Sequence, residues 1–227
     1  LTLPVRERRR LHGLAAAAIE RLAGDDPDEF AELLGMHWYD AREPRRAWPY
    51  LRAAATRAQA DMAPFEAATF LERALACIRN ASPEAAVHRT LLEEQLGDVY
   101  DTLGRYDDAE RLYRRARSHA SDPADRARLR GREGRVARSA RSLSTALRRY
   151  RSALAEVPDD AHSVRAELLV GLCSVLERQG RSAEELGPLR DAIEAAELAG
   201  DTGAMAHAEM LLGNTYGALG DPIVVQH

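Results

Sequence analysis

The sequence contains no lysine, and all 32 of its basic residues are arginine. That absence removes Schiff-base chemistry, which needs a lysine amine, and the GK[ST] phosphate grip of a P-loop. With only 3 phenylalanines and few β-branched residues among 227, there is little material for a sheet. No apolar run approaches the roughly 20 residues needed to cross a bilayer. The longest, LLVGLCSVL, covers only 168–176. The start, LTLPVRERRR, has no apolar run behind its basic residues and does not read as a secretory signal. HExxH, CxxC, GxSxG and Gly-rich phosphate loops are all missing. These absences point to a cytoplasmic, non-enzymatic protein with no catalytic, cofactor or metal site. Cys77 and Cys173 lie inside helical patterns and read as small buried hydrophobes of a reducing compartment.

What is abundant is alanine (42) and leucine (29), which favour helix along nearly the whole chain. A net charge of −4, with 30% charged and 45% apolar residues, suits an ordinary soluble globular protein. The fold class expected is therefore all-α.

A repeat runs through the chain. Its clearest copy, LGDVYDTLGRYDDAERLYRRA at 96–116, sets Leu96, Gly97, Tyr100, Gly104, Tyr106, Ala109, Tyr113 and Ala116 on two helices joined by a tight turn. Gly97 and Ala109 are small where helices must approach, and Gly104 stands where the chain needs a left-handed residue. Shifted by 37 residues, the template meets Gly134, Ala146, Tyr150 and Ala153. A further 39 gives Leu172, Cys173, Leu176, Gly180, Leu189 and Ala192, and 40 more gives Leu212, Gly213, Tyr216 and Gly220. Upstream, a shift of −42 reaches Ala55, Ala58, Ala67, Leu71 and Ala74. The total is roughly four and a half hairpins.

At these residues the chain resembles the tetratricopeptide repeat (TPR) family. The resemblance implies antiparallel helix hairpins stacked as a right-handed superhelical solenoid of about 11 helices. The spacing departs from the family's period of about 34 residues, and neither Trp38 nor Trp48 occupies the family's tryptophan position. Longer helices and a less regular superhelix are expected. The N-terminal quarter, 8–60, is similar to the helical segment that follows the ATPase module in multidomain signal-transduction ATPases, some of them regulators with adenylate/guanylate cyclase domains. The likeness lies in its LH...A..IE start, its ELL..HWY helix and its A..YL.AA..A run. It implies a regulatory section of a larger signalling protein, with intramolecular contact to an ATPase or cyclase module. The motifs of those modules are not in this sequence.

Pattern and breakers predict helices near 6–23, 28–41, 45–60, 64–79, 83–103, 106–119, 123–140, 143–156, 160–179, 182–199 and 202–219. Gly24-Asp25-Asp26-Pro27, Ser82-Pro83, Ser121-Asp122-Pro123 and Pro158-Asp159-Asp160 supply stops and N-caps. One solenoid is expected over 1–227: divergent helices at 1–62, clearer repeats at 63–200, and a truncated final repeat with a tail at 201–227. In that last part Met205, Met210, Leu211, Leu212 and Tyr216 lie on a helix whose usual cover is replaced by Pro222–His227. Its face is either a terminal cap or a contact with a further repeat, a second copy or another domain.

Chemistry-bearing clusters are few. His37, beside Trp38 and Tyr39, reads as packing or partly exposed surface rather than a ligand. Glu93/Glu94, Asp107/Asp108 and Glu184/Glu185 are adjacent pairs, which diverge by about 100° on a helix and are poorly placed to share a proton. The informative feature is charge order: residues 126–151 hold ten arginines and one acid, Glu133. In TPR proteins the first helix of each hairpin lines a concave groove. That resemblance places Leu91, Glu94, Asp98 and Asp101 in one stretch of groove and Arg128, Gly131, Arg135 and Arg138 in the next. Three readings follow. The arginines are a solvated face pairing with the preceding acids, a clamp for the carboxylates of a protein or peptide partner, or a nucleic-acid surface. Net charge and the lack of interleaved aromatics argue against the third. An oligomerising spacer is the remaining alternative to an interaction scaffold. Glu133 falls where other copies place Leu96 and Leu172, facing the core, so either the helix is rotated or Glu133 is paired, and an arginine partner from 126–149 is expected.

Overall fold

In the computed structural model, which describes residues 4–24, 26–78 and 85–220, the side chains of 85–87 excepted, the alanine-rich periodicity becomes eleven α-helices. No strand is present among the described residues. They fall in two compact units, Leu1–His119 and Ala120–His227. The first holds α1 (Val5–Ala23), α2 (Ala31–Asp40), α3 (Pro44–Ala60), α4 (Pro64–Ile78), α5 (Ala85–Thr102) and α6 (Tyr106–His119). The second holds α7 (Pro123–Ser139), α8 (Leu143–Glu156), α9 (His162–Arg178), α10 (Leu186–Ala199) and α11 (Thr202–Leu219). Within each unit consecutive helices pack as hairpins. No helix among the described residues is long and apolar enough to cross a membrane.

One register organises both units. A small residue on one helix is followed seven positions later by a left-handed turn residue, and sixteen positions later by a larger side chain on the next helix. Gly97, Gly104 (φ 72°) and Tyr113 form one such set, and Gly134, Arg141 (φ 60°) and Tyr150 the next. Cys173, Gly180 (φ 68°) and Leu189 follow, and Ala55, Met62 (φ 56°) and Leu71 precede. Sequence reasoning missed a further set, Gly35, Arg42 (φ 64°) and Leu51, only 20 residues before the Ala55 set. That short step means α3 serves two turns, closing a hairpin with α2 and opening another with α4.

Helix ends deviate in detail from the sequence expectation. The second and tenth helices are entered through 3-10 turns at Pro27–Phe30 and Ser182–Glu184. Asp122 caps α7 as expected, its carboxylate accepting the Ala124 amide at 3.0 Å. Pro158-Asp159-Asp160 does not cap α9. The cap residue there is Ala161, and Asp159 pairs instead with Arg165 at 3.3 Å. Ser82-Pro83, Asp25 and the Pro222–His227 tail lie outside the described residues.

Polar groups pin the N-terminal helices. Glu20 on α1 accepts from Trp38 Nε1 at 3.0 Å and from the Tyr50 hydroxyl at 3.1 Å, and also pairs with Arg46. The Arg46 guanidinium lies 3.6 Å above the Trp38 ring centroid. His37 is half-buried with its Nδ1 2.9 Å from His12 Nδ1. In the second unit Glu133 faces the core, and Arg149 Nη1 on α8 lies 2.8 Å from its Oε2. Arg149 thus brings a counter-charge to Glu133 across the α7–α8 hairpin. Both cysteines are free thiols that burial pushes up, Cys77 to about 11 and Cys173 to about 12.

Candidate functional site

The first-helix faces named from the sequence are each formed by a single helix. On α5 of the first unit Glu94 is buried and Asp98 and Asp101 are half-buried. Tyr113 reaches from α6 across Gly97, and its hydroxyl donates to Asp98 Oδ1 at 2.7 Å. On α7 of the second unit Arg128, Arg135 and Arg138 are half-buried. Arg135 stands at the register position that Asp98 holds in the first unit. Tyr150 lies between Gly134 and Gly171, a Cβ on which would come within 3.1 Å and 2.4 Å of its ring. Burial pushes the Tyr150 phenol up, while the nearby Arg138, Arg135 and Arg132 pull it down. Arg135 and Arg138, three residues apart on α7, share one face of that helix. Arg128 is drawn to Asp125 at 3.2 Å.

The rest of the arginine run is largely engaged within its own unit. Arg130 pairs with Glu156 and Ser152, Arg132 lies 3.7 Å from Glu167, and Arg126 donates to the Ser121 carbonyl at 2.7 Å. Several of these partners stand later in the chain, on α8 and α9. The sequence alone points only to the preceding acids as their partners.

A second surface was not foreseen. A cleft of about 590 Å³ opens between α4, α5 and α6, lined on α5 by Arg89, Glu93, Leu96 and Tyr100. At about 100° per residue, that set is centred roughly 140° around the helix from Glu94, Asp98 and Asp101. At one end the Tyr100 hydroxyl donates to Glu72 at 2.5 Å. Arg105 stacks 3.8 Å from the Tyr100 ring centroid and grips Asp108 through Nε and Nη2 at 2.8 and 2.7 Å. At the other end Glu93 is only 6% exposed, and its Oε2 accepts no hydrogen bond among the described residues. Desolvation raises its carboxyl to about 6 against the pull of Arg89 and Arg115. Apart from Glu93, most of these charges satisfy one another, so the cleft reads mainly as packing. No group of three or more His, Cys, Asp or Glu suited to a metal occurs among the described residues.

No protein-family profile and no curated protein matches the sequence. Solved structures do match. BtubC (BKLC) from P. vanneervenii aligns over 97% of this chain and 86% of its own, at 16% identity and a TM-score of 0.63. A Podosopora anserina protein of nearly identical TPR-like repeats aligns over 79% of this chain and 89% of its own, at 16% identity and a TM-score of 0.60. At such identity the likeness establishes the fold, and the chain is built of TPR-like helical repeats.

Proposed function

We propose that this protein is a non-enzymatic interaction scaffold that holds partner segments on the faces of its first helices, the α7 face taking partner carboxylates. The observation that carries this reading is the set of half-buried arginines Arg128, Arg135 and Arg138 along α7, with Arg135 and Arg138 one turn apart, whose guanidinium forks suit bidentate, charge-assisted bonds. Preformed helices lose little ordering entropy when a segment binds, which suits a scaffold. Glu94, Asp98 and Asp101 offer the opposite sign on α5, for basic parts of a partner. The test is titration of labelled Asp/Glu-rich peptides against the protein and its Arg135→Glu/Arg138→Glu variant. Loss of at least about tenfold in affinity with unchanged helicity is expected. Unchanged affinity returns these arginines to a solvated face. Binding to random duplex or single-stranded DNA, weakening steeply with salt, replaces the peptide reading with a nucleic-acid one.

The finer reading is a regulatory section of a larger cytoplasmic signalling protein, in contact with an ATPase or cyclase module. The resemblance of residues 8–60 supports it. Peptide mapping of the native chain beyond Leu1 and His227 decides the matter. Peptides from a nucleotide-binding or cyclase module are expected, and a native chain of this length alone overturns it.

A further inference from the structure

Phe30 and Phe70 meet at one corner of the first unit, where α4 faces the 3-10 entry to α2, and the third phenylalanine of the chain, Phe65, stands at the start of α4. Phe30 and Phe70 line a pocket of about 340 Å³, at whose edge Leu33 is 50% exposed. Phe65 and Met62, on the same turn, are 72% and 85% exposed. Large apolar side chains held in water at one place mark an interaction surface more often than single scattered ones do. Met62 also sits in the left-handed region at φ 56°, where Gly104 and Gly180 stand in the equivalent turns. The equivalent turns that lack glycine carry arginine, Arg42 and Arg141, whereas this one presents a methionine to solvent.

The rim of this corner is acidic. Glu29, Glu32, Asp61 and Glu66 line the pocket, all exposed, and none forms an ion pair among the described residues. Other acids of the unit, such as Glu20, Glu72, Asp108 and Glu110, do have arginine partners. The one basic side chain in the lining, Arg57, donates to the Glu29 backbone carbonyl at 2.8 Å, which ties the 3-10 turn to the end of α3.

We infer that this corner is a second docking site, separate from the α7 face and of opposite sign, and that it takes a basic amphipathic helix of a partner protein. Apolar side chains of that helix would fill the pocket against Phe30, Phe70 and Leu33. Its arginines or lysines would meet the four rim carboxylates and the exposed Phe65 ring, which attracts cations through its face. The charge of the rim selects this occupant over an acidic or uncharged apolar segment.

The experiment titrates the whole chain into a labelled synthetic helical peptide carrying leucines at i, i+3, i+4 and i+7 with lysines between. Two control peptides replace either the lysines by glutamate or the leucines by serine. Saturable binding of the basic amphipathic peptide is expected, with at least about tenfold weaker binding of either control. Phe65→Ser and Glu32→Lys/Glu66→Lys are expected to weaken it to a similar degree, and Arg135→Glu/Arg138→Glu to leave it unchanged. Met62→Gly separates binding from folding, because glycine relieves the turn while deleting the exposed side chain. Binding should fall with no loss of thermal stability. Equal binding of basic and acidic peptides, or no saturable binding, overturns the inference. So does a concentration-dependent dimer that Met62→Gly abolishes, since a second copy would then be the occupant.

Discussion

Gly97 on α5 lies so close beneath the ring of Tyr113 on α6 that a Cβ on it would stand 2.8 Å from Tyr113 Cε1. Sixteen residues separate the two, and the same separation joins Gly134 to Tyr150, Cys173 to Leu189, Ala55 to Leu71 and Gly35 to Leu51. Four of the five pairs trade volume, and in the fifth, Gly35 with Leu51, the helices approach so closely that a Cβ on Gly35 would already stand 3.0 Å from Leu51. Where the second member is a tyrosine the first is glycine, and where the first is cysteine or alanine the second is leucine. What repeats along this chain is the filled gap between two helices rather than any one residue.

Gly97→Ala is therefore expected to destabilise the protein by about 1–3 kcal/mol, because the Tyr113 ring must leave its position. Combining it with Tyr113→Leu recreates the medium-sized pairing of Ala55 with Leu71. The double variant should then be more stable than the sum of the single effects predicts, by about 1 kcal/mol. Urea unfolding of the four proteins in the cycle measures this. Strict additivity would mean that the two positions do not share a gap.

The periodicity that made the helices legible in the sequence is local, and so the expected helices coincide with the observed ones to within a few residues. The left-handed turn at Gly104 was legible because glycine announces it. The equivalent turns at Arg42, Met62 and Arg141 carry no such mark. The last two were legible from the small and large residues around them, whereas the Gly35 set, a step of only 20 residues away, fell outside the repeat period and was missed although its two helices were expected. The Glu133 partner was legible because a carboxylate in a leucine position must be neutralised, whereas the choice of Arg149 depended on α8 packing. Nothing local distinguishes Glu93 from Glu94, yet the packing of α4 and α6 assigns them to different surfaces. The meeting of Phe30, from the 3-10 turn before α2, with Phe70 of α4 is likewise a tertiary fact.

Arg141 occupies a left-handed turn at φ 60° with an exposed side chain. Its backbone bonds, the Arg141 amide to the Arg138 carbonyl at 3.0 Å and the Ser142 amide to the Ala137 carbonyl at 2.8 Å, need only the conformation and not the side chain. Arg141→Gly is expected to stabilise the protein by about 0.5–1 kcal/mol, the relief of αL strain exceeding the added entropy of the unfolded chain. Arg141→Val should destabilise it, since a β-branched residue fits that region worst. A fall in melting temperature for the glycine variant would contradict the argument.

The Glu133–Arg149 contact predicts an asymmetry. Arg149→Ala leaves a carboxylate in the core without this counter-charge and should cost about 2–4 kcal/mol, reduced from the fully buried case because Arg149 is partly exposed. Glu133→Leu restores the residue type found at Leu96 and Leu172 and should be neutral or stabilising, by up to about 2 kcal/mol. In the Glu133→Leu background, Arg149→Ala should then cost less than about 0.5 kcal/mol, as for an ordinary surface change. Chemical denaturation of these variants decides it, and equal costs of Arg149→Ala in both backgrounds would show that the arginine acts through something other than Glu133.

Glu93 gives a pH dependence whose sign follows from its raised carboxyl, from an ordinary 4.5 to about 6. Between those two values the unfolded chain has released the proton and the folded chain still holds it. The folded state therefore binds more protons, and the contribution of this group to stability declines as pH rises through that window, then levels off above about pH 6. The decline is on the order of 1–2 kcal/mol. Glu93→Gln cannot ionise and should match the parent protein near roughly pH 4, then exceed its stability near roughly pH 7 by that amount. Urea midpoints across this range provide the measurement. A variant less stable than the parent at neutral pH would mean that the ionised carboxylate is held favourably by Arg89 or Arg115, and that the attraction of those arginines outweighs desolvation.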